Sequence, residues 1–241
     1  MVSSRSREWG HVMIKTIYAQ TRHEGLSRED FVHLWRGHGA LAMTLPGFWD
    51  PVVRYIQSDR LCDVSGFASA RLDYVGVGEL HYADVEGRRI SKASDDLKSA
   101  LLPDASRIFD RAHSINVGVE EIFLFRGRYA PVKIYAFVRR DASLSQRSFL
   151  ARWEELQTGI LRDAKSAHLV RRAVSGRALD EGADADCTLE FSFDTIADAQ
   201  SFHLEWLSQI EAQASGIIER DRLVIIPAFV SLFYDRRLYA G

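Results

Sequence analysis

Apolar side chains recur at helical spacing early in the chain, and this amphipathic stretch is its clearest pattern. The spacing predicts a helix over residues 27–43. Ser27 suits an N-cap, and the acidic pair that follows suits the positive end of the helix dipole. A histidine falls on the face expected to be buried, where a polar group needs a partner. The residues on this face are Phe31, Trp35, His38 and Ala42.

Runs of β-branched and aromatic residues predict strands on both sides of this helix. Two glycines, Gly76 and Gly78, lie on one face of a predicted strand, where another group is expected to approach closely. The predicted order is strand 13–21, helix 27–43, strands 52–58 and 74–82, helix 85–100, a loop or short turn at 103–111 and strand 117–125.

The same pattern then recurs at a constant offset of 118 residues. A duplication of this length predicts two β-α-β-β-α-β units of the ferredoxin-like type. We expect a flexible tail at 1–12, a first repeat at 13–127 and a second, degenerate repeat at 131–235. The matched pairs are Lys15 and Lys133, Ser27 and Ser145, Phe31 and Phe149, Trp35 and Trp153, and Arg54 and Arg172.

Alternation of polar and apolar residues is weak in the first strand of each repeat, which is typical of strands buried on both faces. Helices would cover one face of each sheet, and the two remaining faces would cover each other. The predicted fold class is therefore α+β. It consists of tandem ferredoxin-like units whose two antiparallel sheets face each other within one chain.

Composition narrows the function classes. The formal net charge of −2 over 241 residues gives no reason to expect a nucleic acid or an anionic membrane as partner. No apolar run approaches the roughly 20 residues of a spanning helix, and no signal peptide is evident. The two cysteines lack metal-site spacing. We expect a cytoplasmic protein with no metal that acts on a small molecule.

Two motifs indicate a family. The first is Leu26-Ser27-x-x-x-Phe31-x-x-x-Trp35-Arg36-x-His38-Gly39, and the second is Arg54-Tyr55-Ile56-Gln57. Together they resemble the EthD domain of the dimeric α/β-barrel superfamily, and the second repeat resembles a degenerate copy. The resemblance implies an intramolecular barrel of that type. It does not imply one reaction, because relatives include dehydratases, isomerases, cofactor-free monooxygenases and haem proteins.

The repeat supplies an internal control, because residues that serve one active site need not occur in both copies. Four polar residues of the first repeat align with apolar or small residues in the second repeat. We predict that these four are catalytic residues that converge on a cavity. The pairs are His38 and Leu156, Tyr18 and Ala136, Tyr55 and Ala173, and His81 and Ser192.

Substrate contacts are predicted for three aromatic residues, which would form an apolar pocket, and for one arginine. Three of these four residues recur unchanged in the second repeat, which favours a structural role for them. The predicted substrate-binding residues are Phe31, Trp35, Phe48 and Arg54.

A histidine with tyrosines suits general acid–base chemistry. The leading hypothesis is a cofactor-independent lyase or isomerase of the dehydratase type that acts on an aromatic or polycyclic carbonyl compound. One alternative is a monooxygenase in the same cavity, either cofactor-free or haem-dependent through His38 or His81. Another is a non-catalytic binder of hydrophobic small molecules. Strand edges and helix faces also leave room for a homodimer.

Overall fold

A computed structural model describes residues 13–238, so the predicted tail at 1–12 lies outside the described residues. The first repeat contains β1 (Ile14–Thr21), α1 (Arg28–Met43), α2 (Pro46–Trp49), β2 (Val52–Arg60), β3 (Tyr74–Tyr82), α3 (Val85–Ala93), α4 (Leu102–Ile108) and β4 (Ile115–Phe125). The second contains β5 (Val132–Val138), α5 (Gln146–Asp163), β6 (Arg172–Ala178), β7 (Cys187–Phe193), α6 (Ile196–Gln213) and β8 (Val224–Asp235).

The helices begin where local chemistry favours a start. The Ser27 hydroxyl accepts a 3.0 Å hydrogen bond from the backbone N–H of Asp30, which caps α1 as its sequence predicts. The loop or short turn predicted at 103–111 is wrong, because α4 occupies most of it. Pro103 lies in the first turn of α4, a position that proline favours. None of the helices described for residues 13–238 has the length and apolar character needed to cross a membrane.

All eight strands form one closed antiparallel barrel in the order β1-β3-β2-β8-β5-β7-β6-β4. Two pairings join the repeats: β2 pairs with β8 through Arg54 and Asp235, and β4 pairs with β6 through Val119 and Ala178. The predicted fold class, with two separate sheets facing each other, is therefore wrong. The outer strands of each repeat bond to those of the other, which leaves no unpaired edge.

Side chains of the strands alternate between the inside of the barrel and the helices outside. Ile17 points inward into an apolar cluster with Val119 and Phe137, whereas Tyr18 points outward into a cluster beneath α1 and α4. A third cluster lies beneath α5 and α6 of the second repeat. The two faces of one strand therefore serve different cores.

Charged side chains from five strands meet inside the barrel, and none of them is more than 6% exposed. Lys133 Nζ lies 2.5 Å from Glu79 Oε1 and 3.0 Å from Glu190 Oε2. Lys15 Nζ lies 3.0 Å from Glu121 Oε1 and also bonds to Glu190. We refer to these five residues as the interior ion cluster.

The lysines keep two carboxylates of this cluster, Glu79 and Glu121, ionised. Burial opposes ionisation of Glu79, but the charges of Lys133 and Lys15 hold its pKa well below the ordinary value. Burial likewise opposes ionisation of Glu121, yet Lys15 and His81 lower its pKa from 4.5 to about 2. These carboxylates are therefore charged in the folded protein at neutral pH.

Removal of one lysine tests the contribution of the cluster. We expect Lys133→Met to lower the free energy of unfolding by about 3–5 kcal/mol, because it removes one of the two lysines that neutralise the buried carboxylates of Glu79 and Glu190. Urea denaturation at pH 7 measures the change. The control is Arg89→Ala, which removes an exposed ion pair with Glu86 and should change little. Wild-type stability in Lys133→Met would show that the cluster does not hold the barrel interior.

Glu121 predicts a specific acid dependence. Its pKa is lower in the folded state, so its stabilising contribution is complete above pH 4.5 and is lost as the pH falls toward 2. The stability difference between wild type and Glu121→Gln should therefore shrink by on the order of 3 kcal/mol over this range. Urea denaturation between pH 7 and pH 3, over which about 2 kcal/mol of this change is expected, measures it. Parallel curves for the two proteins would contradict the assignment.

Candidate active site

A cavity of about 640 Å³ lies between the outer face of the first-repeat strands and the helices that cover them. Strands β1, β2, β3 and β4 form its floor, and α1, α3 and α4 form its walls. A loop of the second repeat, residues 180–184, borders it as well. We call it the first-repeat cavity. Three of the four predicted catalytic residues line it, namely Tyr18, His38 and Tyr55.

His38 and Asp104 form a hydrogen-bonded pair in the cavity wall. The His38 Nδ1 atom lies 2.8 Å from Asp104 Oδ2, and each side chain is 15% exposed. Burial opposes ionisation of Asp104, but hydrogen bonds from His38 and Arg107 lower its pKa below the ordinary value. An ionised Asp104 fixes the Nδ1–H tautomer of His38 and leaves Nε2 as the basic nitrogen.

Two tyrosine hydroxyls lie on the cavity floor. The hydroxyls of Tyr18 and Tyr55 are 3.5 Å apart, and Gln57 Nε2 donates to the Tyr55 hydroxyl at 2.6 Å. Burial raises the pKa of both phenols, so both remain protonated at neutral pH. The Tyr55 oxygen accepts these two hydrogen bonds, which leaves its own hydrogen to donate to a ligand.

Glycines leave the space that these side chains occupy. A Cβ at Gly78 would overlap the ring of Tyr18, and a Cβ at Gly76 would overlap Trp35. Gly39 on α1 lies close to the Tyr55 hydroxyl, which would be in tight contact with an added Cβ at 3.1 Å. The close approach predicted at Gly76 and Gly78 is therefore confirmed.

His81 lies on the opposite face of the sheet, inside the barrel. Its Nε2 is 3.0 Å from Glu79 Oε2, its Nδ1 is 3.7 Å from Glu121 Oε1, and its side chain is 1% exposed. Burial lowers its pKa, although the glutamates oppose the shift. His81 therefore extends the interior ion cluster and cannot meet a ligand in the cavity with His38.

The predicted substrate-binding residues divide in the same way. Phe48 lines the cavity, whereas Phe31 and Trp35 are fully buried behind its wall and contact each other. Arg54 lies outside the cavity: its Nε and Nη2 atoms are 2.9 and 2.6 Å from Asp235 Oδ2, and its guanidinium stacks on Tyr129. Arg54 thus supports the junction between the repeats.

Sequence reasoning did not single out Asp104, which bonds to His38, or Arg88, which lines the cavity. Asp104 was assigned to a loop or short turn, although Pro103 just before it signals the start of a helix. Arg88 was not singled out, because a single arginine in an amphipathic helix gives no signal of burial. Within residues 13–238, no group of three or more histidine, cysteine or acidic side chains is arranged to hold a metal ion.

One family model matches part of the first repeat. Residues 23–112 match the family model described as the EthD domain, so the resemblance is confirmed for this segment. No curated protein sequence matches the chain.

Several solved structures share the fold. An anthrone oxidase-like protein superposes with a TM-score of 0.61 at 9% identity, covering 94% of each chain. A candidate monooxygenase from Lactobacillus acidophilus NCFM has a TM-score of 0.54 at 9% identity, covering 93% of this chain and 97% of its own. A chlorite dismutase variant from Candidatus Nitrospira defluvii has a TM-score of 0.53 at 12% identity, covering 90% and 91%.

These neighbours correct the predicted reaction. They are named as an oxidase-like protein, a monooxygenase and a chlorite dismutase, and none of the three is named as a lyase or isomerase. The prediction of a cofactor-independent lyase or isomerase of the dehydratase type is therefore wrong. The names of these neighbours agree better with the monooxygenase alternative than with the leading hypothesis.

The close contact between Gly78 and the Tyr18 ring predicts that substitutions at these two positions are energetically coupled. We expect Gly78→Ala to destabilise the protein by about 1–3 kcal/mol, because the new methyl group overlaps the Tyr18 ring. In a Tyr18→Ala background the same change should cost much less. Chemical denaturation of the four proteins measures the coupling energy.

Gly37→Ala is the matched control on α1, where an added Cβ meets nothing within 4 Å. It should leave stability unchanged or raise it by up to about 1 kcal/mol, as expected for alanine in a helix. An equal cost of Gly78→Ala with and without the Tyr18 ring would contradict the proposed contact.

Proposed function

We propose that this EthD-domain protein is a monooxygenase that oxidises an electron-rich aromatic ketone in the first-repeat cavity without a cofactor. The observation that carries the proposal is the His38–Asp104 pair, which presents a basic nitrogen in a cavity shared with the Tyr55 hydroxyl. The names of the anthrone oxidase-like and monooxygenase neighbours support this reaction class.

Proton removal is the first step of the proposed reaction. His38 Nε2 takes a proton from the acidic CH₂ group of an anthrone-type ketone, and ionised Asp104 stabilises the resulting imidazolium. The negative charge moves to the carbonyl oxygen of the substrate. Tyr55 donates a hydrogen bond to that oxygen, as its free hydrogen permits.

Electrons for oxygen reduction come from the substrate. The enolate transfers them to O₂, a new C–O bond forms, and the resulting hydroperoxide loses water as its O–O bond breaks. One ring CH₂ and one O₂ thus become one C=O and one H₂O. The substrate supplies all four electrons, so the reaction requires no external reductant.

A haem-dependent monooxygenase is a second candidate. The observation that favours it is the donor set of His38, whose Nδ1 bonds to a carboxylate as in many metal-bound histidines and whose Nε2 has no partner among the described residues. His38 would hold the iron, and haem would supply oxygen activation at the same cavity. His81 does not fit this role, because glutamates enclose it inside the barrel.

Oxygen uptake tests the proposal. With dithranol (1,8-dihydroxyanthrone) as the probe, we expect one O₂ consumed per anthraquinone formed, above the spontaneous rate. His38→Gln should lower kcat by about 100-fold or more, because it removes the general base. Its control is His33→Gln, an exposed position on the same helix, which should retain full activity.

Two results would contradict the proposed reaction. Oxygen uptake that persists in His38→Gln would exclude this base, and anthraquinone formation without oxygen uptake would exclude a monooxygenase. The ultraviolet–visible spectrum separates the two versions. A Soret band with added haemin that is lost in His38→Gln supports the haem enzyme. Activity with an unchanged protein spectrum supports the cofactor-free enzyme.

A further inference from the structure

Arg88 lies in the wall of the first-repeat cavity, and its side chain is only 10% exposed. Helix α3 carries it over the outer face of β1 and β4. The guanidinium covers Gly118, where an added Cβ would overlap it. The backbone of β4 therefore leaves a space that this planar group fills.

The hydrogen-bonding capacity of Arg88 is mostly unused. Its Nε lies 3.3 Å from Thr16 Oγ1, and its Nη2 lies 3.4 Å from Asp180 Oδ2. Both distances exceed the usual length of about 2.9 Å. A guanidinium has five N–H donors, so three have no partner among the described residues.

The second repeat lacks this group. Asp84 caps α3 and Thr195 caps α6, and the fourth residue after each cap is Arg88 and Ala199, respectively. Ala199 is fully buried in the apolar core of its repeat. Arg88 thus belongs to the set of polar residues, with His38 and Tyr55, that occurs only beside the cavity.

We propose that Arg88 binds a carboxylate of the substrate, so that the substrate class is an aromatic carboxylic acid. A guanidinium pairs with a carboxylate through two parallel hydrogen bonds, which fix its position as well as its charge. The proposal rests on the proposed function for the aromatic ring and the reacting carbon, whereas the carboxylate is inferred from Arg88 alone.

The spacing on β1 fits such a molecule. Thr16, beneath Arg88, and Tyr18, beside Tyr55, are alternate residues on the same face of the strand. Such positions lie about 7 Å apart, roughly the width of one aromatic ring with its substituent. A substrate that spans them has its carboxylate at Arg88 and its carbonyl oxygen near the tyrosines.

Asp180 marks the position that the substrate carboxylate would take. It lies on the loop of the second repeat, its side chain is 64% exposed, and its contact with Arg88 is long. Water weakens such an exposed pair. In the proposed complex, a substrate carboxylate buried beside Arg88 displaces Asp180. The carboxylates of Glu181 and Asp184 also border the cavity, and the positive charges of Lys92 and Arg111 oppose them.

Equilibrium binding without turnover tests the proposal. The probes are anthraquinone-2-carboxylate and its uncharged amide, measured by calorimetry. We expect wild type to bind the carboxylate about 10- to 100-fold more tightly than the amide, the range expected for hydrogen bonds between charged groups. Arg88→Gln should abolish this preference and leave the affinity for the amide unchanged. Arg89→Gln, at the exposed neighbouring position, should retain the preference.

A second variant does not alter any buried group. Asp180→Asn removes the competing carboxylate, so it should strengthen carboxylate binding by about two- to fivefold, in keeping with an exposed ion pair. Any one of three results would overturn the assignment. Wild type could show no preference for the carboxylate, or Arg88→Gln could keep that preference. Asp180→Asn could bind the carboxylate as tightly as wild type or more weakly. Because none of these measurements involves oxygen, failure of the oxygen-uptake assay alone refutes only the reaction.

Discussion

Neutralisation of charge inside the barrel is the constraint on which the rest of the structure depends. Buried charges of one repeat pair with buried charges of the other: Lys15 with Glu190, Lys133 with Glu79, and Arg54 with Asp235. Lys15 reaches Glu190 across the interior, and Arg172 Nη2 lies 4.0 Å from Glu121 Oε2. Each repeat therefore supplies the counter-charges of the other, which ties closure of the barrel to the presence of both.

Buried charged and apolar side chains occupy the barrel interior, and the candidate site lies outside it. The alternation of side chains along β1 makes the division sharp. Lys15 and Ile17 belong to the interior, whereas Thr16 and Tyr18 belong to the cavity beneath the helices. The same strand thus supports the barrel with one face and the candidate site with the other.

Local patterns explain how much could be predicted from the sequence. Strand and helix positions follow from periodicity, and comparison of the repeats selects Tyr18 together with two other residues that line the cavity. The face of His81 depended on strand register, which a shift of one residue inverts. Closure pairs Arg54 with Asp235, residues too distant for any local pattern. Asp104 was missed because its short helix is not marked by an apolar stripe in the sequence. Only tertiary packing shows that this helix places Asp104 beside His38.

The loop at 180–184 belongs to the second repeat but borders the cavity of the first. Joining the two repeats in one chain therefore affects how the site can evolve. In a pair of separate chains, a loop that crosses to its neighbour arrives only on association, and dilution removes it. Covalent joining keeps its local concentration constant at any expression level. Joining also means that a substitution occurs once per molecule instead of twice. One repeat can therefore carry Leu156 while the other keeps His38 at the equivalent position. A symmetric homodimer cannot differ in this way, because both of its chains have the same sequence.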